Sequence, residues 1–154
     1  MQKHSYRRPA LRVRAAAEHV TFTDRLLGPQ EGVVDDFVVQ RNDGAPAYNL
    51  AVVVDDAAQG IGEVVRGADL VDSTPRQLYL ARLLELSEPR HAHVPLVLGP
   101  DGARLAKRHG DVTLREVPPQ AARAWMARTL GLESLDPGDF DPAALRREPT
   151  RWTG

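Results

Sequence analysis

Apolar and polar residues alternate along residues 11–14 (Leu-Arg-Val-Arg) and 20–26 (Val-Thr-Phe-Thr-Asp-Arg-Leu), the period-two pattern of half-exposed strands. Gly28-Pro29 reads as the turn that closes this unit. A β-branched run over 33–40 (Val-Val-Asp-Asp-Phe-Val-Val-Gln) predicts a further strand, and Asn42-Asp43-Gly44 ends it with turn chemistry. Two signals compete over 46–58. Val52-Val53-Val54 favours a strand by propensity. Tyr48, Ala51, Val52 and Asp55 recur at helical spacing behind Pro46, a residue suited to a first helical turn. The spacing predicts a helix, ended by Gly60. Ile61 to Arg66 then reads as a short strand. Thr74-Pro75 predicts a helix start, with Thr74 as N-cap, Pro75 at the first helical position and Leu80, Leu83 and Leu84 as the buried stripe. His93 to Leu98 is an apolar strand, and Gly99-Pro100-Asp101-Gly102 a turn. A last helix is expected around Ala121 to Leu130, before a Pro- and Asp-rich tail without periodicity.

The order strand, helix, strand, helix, strand calls for an α/β fold with a parallel sheet and right-handed crossovers. Ligands of such sheets sit beyond the carboxyl ends of the strands. Two segments fall there: Arg66-Gly67-Ala68-Asp69 and the basic stretch Arg104 to Arg108.

Composition narrows the class. At 154 residues, 42% apolar and 27% charged, the chain has the makings of one ordinary globular domain. No apolar run is long enough for a membrane span, and the basic start has no apolar core behind it, so no membrane partner is expected and a cytoplasmic location fits. Absence of cysteine excludes disulfides and thiolate metal sites. A net charge of −1 gives no global case for nucleic-acid binding. Lys3, Arg7, Arg8, Arg12 and Arg14 make the amino terminus locally basic, which reads as a solvated end. His91 and His93 share one strand face, but no third ligand accompanies them, so no zinc site is expected. Asp55 and Asp56 are adjacent on a helix and point about 100° apart, which suits a polar helix end better than a paired metal site.

Four segments in order carry a resemblance. They are Ala47-Tyr48-Asn49-Leu50-Ala51-Val52-Val53-Val54-Asp55-Asp56, Val65-Arg66-Gly67-Ala68-Asp69-Leu70, His93-Val94-Pro95-Leu96 and Arg104-Leu105-Ala106-Lys107-Arg108. Together, from about Pro9 to about Leu114, they resemble the second half of the catalytic domain of the glutamyl-tRNA synthetases, and among these most of all the short glutamyl-Q tRNA(Asp) synthetases. The resemblance implies a class I Rossmann-like fold. Residues 1–32 would be the end of a connective insertion with short strands. Residues 33–115 would be the second half of the catalytic domain, and 116–154 a helical, partly frayed tail. It implies ATP, as its magnesium complex, and glutamate as substrates, a glutamyl adenylate as intermediate and tRNA as acceptor. In the short branch the acceptor is the queuosine base of tRNA(Asp).

The same resemblance assigns roles. Arg104, Leu105, Ala106, Lys107 and Arg108 take the place of the family's Lys-Met-Ser-Lys-Ser-type loop, with Lys107 as the lysine that contacts ATP. Cations belong there because negative charge builds on the transferring and leaving phosphates. Arg104 keeps the charge of the usual first lysine, whereas Ala106 loses the serine hydroxyl. Arg66 matches the arginine that binds glutamate's carboxylate, a task suited to the rigid guanidinium fork. Tyr48 matches the tyrosine that hydrogen-bonds the same amino acid. Without the resemblance, the basic loop reads as a solvated turn, Arg66 as a surface ion-pair partner for Asp69, and Tyr48 as a core aromatic with its hydroxyl at the rim. Val52 and Leu70 stand where the long synthetases usually carry asparagine and tryptophan, and favour the short branch; Arg108-His109-Gly110 leans slightly the other way.

The family's His-Ile-Gly-His-type motif has no match in this sequence, nor do its amino-terminal glutamate ligands or the cysteines of its insertion. The expectation is a truncated or split glutamate-activating enzyme, with a complementing amino-terminal half as a partner. Two alternatives stand beside it: a fragment of a synthetase that charges tRNA(Glu), and a noncatalytic module that kept the fold and binds tRNA or another partner.

Overall fold

Seven residues from Glu18 to Asp24 form strand β2 and pair antiparallel with β3, Gly28–Val34, through a hairpin that the Asp24 carboxylate caps. Its Oδ1 accepts the backbone N–H of Leu26 and of Leu27, at 3.0 and 2.9 Å, while Asp24 itself is buried. The bend therefore falls at residues 25–27, and Gly28-Pro29, expected as the turn, opens β3 instead. Gly28 takes φ +76, a conformation that costs glycine nothing, and Pro29 pairs with Thr23. The structure, a computed structural model, describes residues 8–106, 117–133, 135 and 144–151.

The β-branched run over 33–40 divides in two. Val34 ends β3, Asp35 and Asp36 interrupt, and β4, Phe37–Gln40, pairs antiparallel with β1, Leu11–Val13. The interruption has a cause: both carboxylates are spent on partners. Asp36 Oδ1 accepts the Ala15 N–H at 2.9 Å, and Asp35 pairs with Arg76 at 2.9 Å. Arg76 also lies 5.9 Å from the Phe37 ring centroid, within reach of a cation–π contact.

Helix α1 spans Tyr48–Ala58, so spacing prevails over the strand propensity of the three valines. Leu50 and Val53, three residues apart, pack against the core, while Tyr48 and Val54 face solvent. Strand β5, Glu63–Gly67, follows. A 3-10 turn over Ala68–Ser73 then runs directly into helix α2, Thr74–Leu83. That turn moves the cap by one residue: Ser73 holds the N-cap position and makes no side-chain cap bond, and Thr74 is already helical and fully buried. Leu78, Leu80 and Ala81 are buried from this helix, whereas Leu83 and Leu84 are exposed. The buried stripe is thus shifted from the expected one. Pro75 packs on β3 at Gly32, where a Cβ would stand 2.6 Å from Pro75 Cγ, so only glycine allows this approach.

Strand β6, Arg90–Val94, and β7, Val97–Leu98, replace the single strand expected over 93–98. Pro95 divides them, since it has no N–H for a ladder. Helix α3 covers Pro119–Leu130 and ends on Gly131 at φ +74; β8, Thr150–Arg151, pairs parallel with β7. The larger sheet has the order β3-β2-β6-β5, with β2 and β6 parallel. The expected α/β class with a parallel pairing and flanking helices is therefore present, but the antiparallel hairpin makes the sheet mixed.

Chain contacts define two compact units. The first comprises residues 1–65 and 70–92, and the second residues 66–69 and 93–154. The core of the first is built from Ala15, Val20, Val34, Phe37, Leu78 and Leu80, with Val13, Phe22, Val39, Leu50, Val53 and Tyr79 against it. Gln77 Nε2 donates to Asn49 Oδ1 at 3.1 Å and ties α2 to α1. Among the described residues no helix is long and apolar enough to cross a membrane.

Candidate functional site

Four residues at the end of β5 and just beyond it belong to the second unit, among them the charged Arg66 and Asp69. Arg66, partly buried, donates through Nε to Nε2 of His93 at 3.0 Å. His93 lies on β6 and is fully buried. Nε2 is the acceptor atom of this pair. The planar guanidinium consequently has one edge fixed against a rigid strand, the kind of support that gives a carboxylate-binding fork a defined direction.

Gly67 comes next. A Cβ there would meet Asp69 Oδ1 at 2.6 Å and Leu96 Cδ2 at 3.1 Å. The missing side chain lets the Asp69 carboxylate fold back over the strand end. Asp69 Oδ2 in turn accepts from Arg104 Nη1 at 2.6 Å. The partner of Asp69 in this pair is thus Arg104, and Arg66 is engaged by His93. The simple reading of Arg66 as the surface ion-pair partner of Asp69 is not the arrangement these two bonds describe.

Arg104 reaches Asp69 because the preceding turn is tightly hydrogen-bonded. Gly102 N donates to Gly99 O at 3.0 Å and Gly99 N to Ala103 O at 2.7 Å, while Asp101 Oδ1 caps Ala103 N at 2.9 Å. The chain then returns antiparallel along β7, with Leu98 bridging Arg104 and Leu105 N donating to Val97 O at 2.8 Å. Arg104, Leu105 and Ala106 therefore stand on an ordered base. Lys107 and Arg108, the other two positions of the basic loop, lie outside the described residues.

Tyr48 belongs to the first unit, as the first residue of α1, and is 61% exposed. The structure thus places Arg66 and Arg104 to Ala106 in one unit and Tyr48 in the other. His91, the second histidine of β6, is buried edge-on to the Phe22 ring, with centroids 6.1 Å apart. Among the described residues no three His, Cys, Asp or Glu side chains gather into a metal-binding group. A cavity in the first unit, lined in part by Asp56, Gln77, Ser87 and His91, has a volume of about 20 Å³, room for one water but not a substrate.

His93 stands within a motif segment and shares a strand face with His91, but no signal in the sequence marks its link to Arg66. The two residues are 27 positions apart, and only the neighbouring placement of β5 and β6 joins them.

The fold has close counterparts. Two glutamate–tRNA ligases superpose with a TM-score of 0.68: one from Elizabethkingia meningosepticum, at 22% identity over 88% of this chain and 34% of that one, and one from Elizabethkingia anophelis, at 24% identity over 89% and 35%. At such identities the likeness speaks for the fold, an α/β fold of the synthetase type. Residues 1–127 match the family of class I tRNA synthetases (E and Q), catalytic domain. The chain belongs to that family. It is also 53% identical to a glutamyl-Q tRNA(Asp) synthetase of Nocardia farcinica over 96% of this chain and 51% of the relative. A protein of the same name from Symbiobacterium thermophilum is 47% identical over 93% of this chain and 49% of its own length. The chain spans about half the length of the relatives it matches.

Proposed function

We propose that this chain contributes part of the site of a glutamate-activating ligase that acts with ATP, supplied as its magnesium complex, and passes glutamate to queuosine in tRNA(Asp). Supporting the reading are the relatives named glutamyl-Q tRNA(Asp) synthetase and one feature of the site: Arg66 and Arg104 are held in the same unit by His93 and Asp69. In this reading Arg66 takes the carboxylate of glutamate, and the Tyr48 hydroxyl hydrogen-bonds the amino acid. Arg104, Leu105, Ala106, Lys107 and Arg108 form the phosphate loop, with Lys107 meeting the charge that develops during adenylation. Asp69 neutralises Arg104, so phosphate would have to displace a carboxylate there. Residues 1–32 serve as the end of the connective insertion, 33–115 as the second part of the catalytic domain, and 116–154 as a helical tail. The expected location is the cytoplasm.

Val52 and Leu70 support the tRNA(Asp) branch. The test is a chimera in which the amino-terminal half of the Nocardia farcinica relative precedes this chain. It should show glutamate-dependent exchange of pyrophosphate into ATP and should label queuosine-containing tRNA(Asp). Labelling of tRNA(Glu) at its terminal ribose would assign the chain to the other branch. A chimera that binds tRNA without exchange would favour the noncatalytic module.

A further inference from the structure

Arg66 and His93 form a closely held polar pair in the second unit. The donor is the Nε of a partly buried arginine, the acceptor is the Nε2 of a fully buried histidine, and the distance is 3.0 Å. Arginine Nε is the hinge of the guanidinium: a bond at this atom fixes the rotation of the whole plane about the last torsion of the side chain. A histidine on a strand is well suited to hold it, because its backbone is fixed by the sheet and its ring has few rotamers. A free arginine must give up side-chain freedom when it grips a carboxylate, and prior fixation removes part of that cost. Gly67, next to Arg66, has Asp69 and Leu96 within 3.1 Å of its absent Cβ, so the strand end is closely packed beside the pair.

We infer that His93 is a positioning residue for carboxylate recognition: it fixes the guanidinium plane of Arg66 and thereby sets the affinity for L-glutamate without touching it. The inference rests on the reading of Arg66 as the carboxylate-binding residue. The acceptor at Nε2 is the feature that matters. Glutamine carries a terminal amide at about the reach of Nε2, whereas asparagine reaches only about as far as Nδ1. The pair of variants therefore separates the acceptor from mere polarity or bulk.

The experiment has two arms, the first on this chain and the second on the chimera. In the first, nuclear magnetic resonance follows exchange of the Arg66 Nε proton with water. It should be protected in the wild type and in His93→Gln, and unprotected in His93→Asn. In the second, L-glutamate is titrated into the chimera with the Nocardia farcinica amino-terminal half, carrying the wild-type sequence, His93→Gln, His93→Asn, Arg66→Ala or the double variant Arg66→Ala/His93→Asn. His93→Asn should weaken binding about 10-fold, a factor of the size expected for one hydrogen bond to a charged group. His93→Gln should restore most of it, and His93→Asn should add nothing once Arg66 is alanine. An unprotected Arg66 proton in the wild type would overturn the inference. So would a loss in His93→Asn that persists in the Arg66→Ala background, because His93 would then act on something other than Arg66. If Arg66→Ala leaves glutamate affinity unchanged, or the wild type binds no glutamate, the reading of Arg66 falls and the positioning role falls with it. The proton-exchange arm would still show whether the hydrogen bond exists, so the two failures are told apart.

Discussion

Arg104 Nη1 lies 2.6 Å from Asp69 Oδ2, which ties the basic loop after β7 to the short 3-10 turn after β5. The arginine side chain is 64% exposed and the aspartate 29%. A pair so open to water is worth little to stability, because solvent screens the attraction and ordering two side chains costs entropy. Its consequence is directional. The carboxylate holds one cation of the proposed phosphate loop and competes with any anion that approaches it.

The first prediction concerns that competition. Asp69→Asn keeps the shape of the side chain and removes its charge. The urea midpoint should correspond to a stability change of less than about 1 kcal/mol. Affinity for ATP, followed by titration into the chimera with the Nocardia farcinica amino-terminal half, should rise several-fold because Arg104 no longer has to exchange a carboxylate for a phosphate. Weaker ATP binding would mean that Asp69 aims Arg104 productively rather than competing with phosphate.

Gly67→Ala attacks the same pair by sterics alone. The new Cβ would sit 2.6 Å from Asp69 Oδ1 and 3.1 Å from Leu96 Cδ2. The carboxylate is the end of a short side chain and can swing away, at the cost of its contact with Arg104, and Leu96 must yield slightly. The expected loss is about 1 kcal/mol, the lower end for overpacking. Asp69→Ala removes the principal obstacle, so Gly67→Ala should cost much less in that background. Equal costs in both backgrounds, measured by urea unfolding, would place the strain elsewhere.

Two exposed ion pairs in the first unit give the chain an acid-sensitive component. A hydrogen bond from Arg25 holds the Glu63 carboxyl below its ordinary range; desolvation opposes it, and the charges of Arg25 and Arg90 add to it. Arg76 does the same for Asp35, again chiefly through its hydrogen bond. A depressed folded pKa means that these carboxylates bind fewer protons folded than unfolded. Their stabilising contribution is therefore complete above the ordinary carboxylate range and is lost as pH falls through the lowered folded values. Arg25→Met should return the Glu63 titration toward the ordinary carboxylate value, as read by carboxyl carbon resonances, and should flatten part of the acid limb of stability. A Glu63 titration that does not move would show that Arg25 is not its cause.

Much of this molecule is legible in sequence, and the exceptions share a physical character. Period-two alternation finds β2, and helical spacing finds α1 despite three consecutive valines, because both patterns report which face is buried. The motif segments that carry the resemblance lead to the family now shown by the match over residues 1–127. The sequence misleads where one local signal is overridden by a neighbouring one, or where the partner is distant in the chain. Gly28-Pro29 looks like a turn, but Asp24 captures the N–H groups of Leu26 and Leu27 and brings the bend earlier. Thr74 has a cap's chemistry but is buried inside the helix that a 3-10 turn has already begun. Arg66 and His93 are each conspicuous in sequence, yet nothing in the chain's order announces that they meet. Such a contact depends on strand adjacency, which periodicity does not encode.

The final prediction separates the two cations assigned to different substrates and uses the chimera with the Nocardia farcinica amino-terminal half. Lys107, if it follows charge as the phosphoryl bond breaks, acts mainly in the transition state. Lys107→Ala should then lower the rate of glutamate-dependent exchange about 10²–10³-fold, by analogy with the loss of one oxyanion-type contact, while the glutamate Michaelis constant stays nearly unchanged. Arg66 contacts a carboxylate that is charged from the moment glutamate binds, so its interaction exists in the ground state as well. Arg66→Ala should raise the glutamate Michaelis constant more than it lowers turnover. Exchange assays with glutamate and ATP varied separately give the two profiles. If the two variants behave alike, or neither has an effect, the assignment of Lys107 to ATP and Arg66 to glutamate is wrong, whatever the fold. If the profiles are exchanged, the basic loop would be the amino-acid site and the β5 end the phosphate site, which would reverse the roles of the two elements.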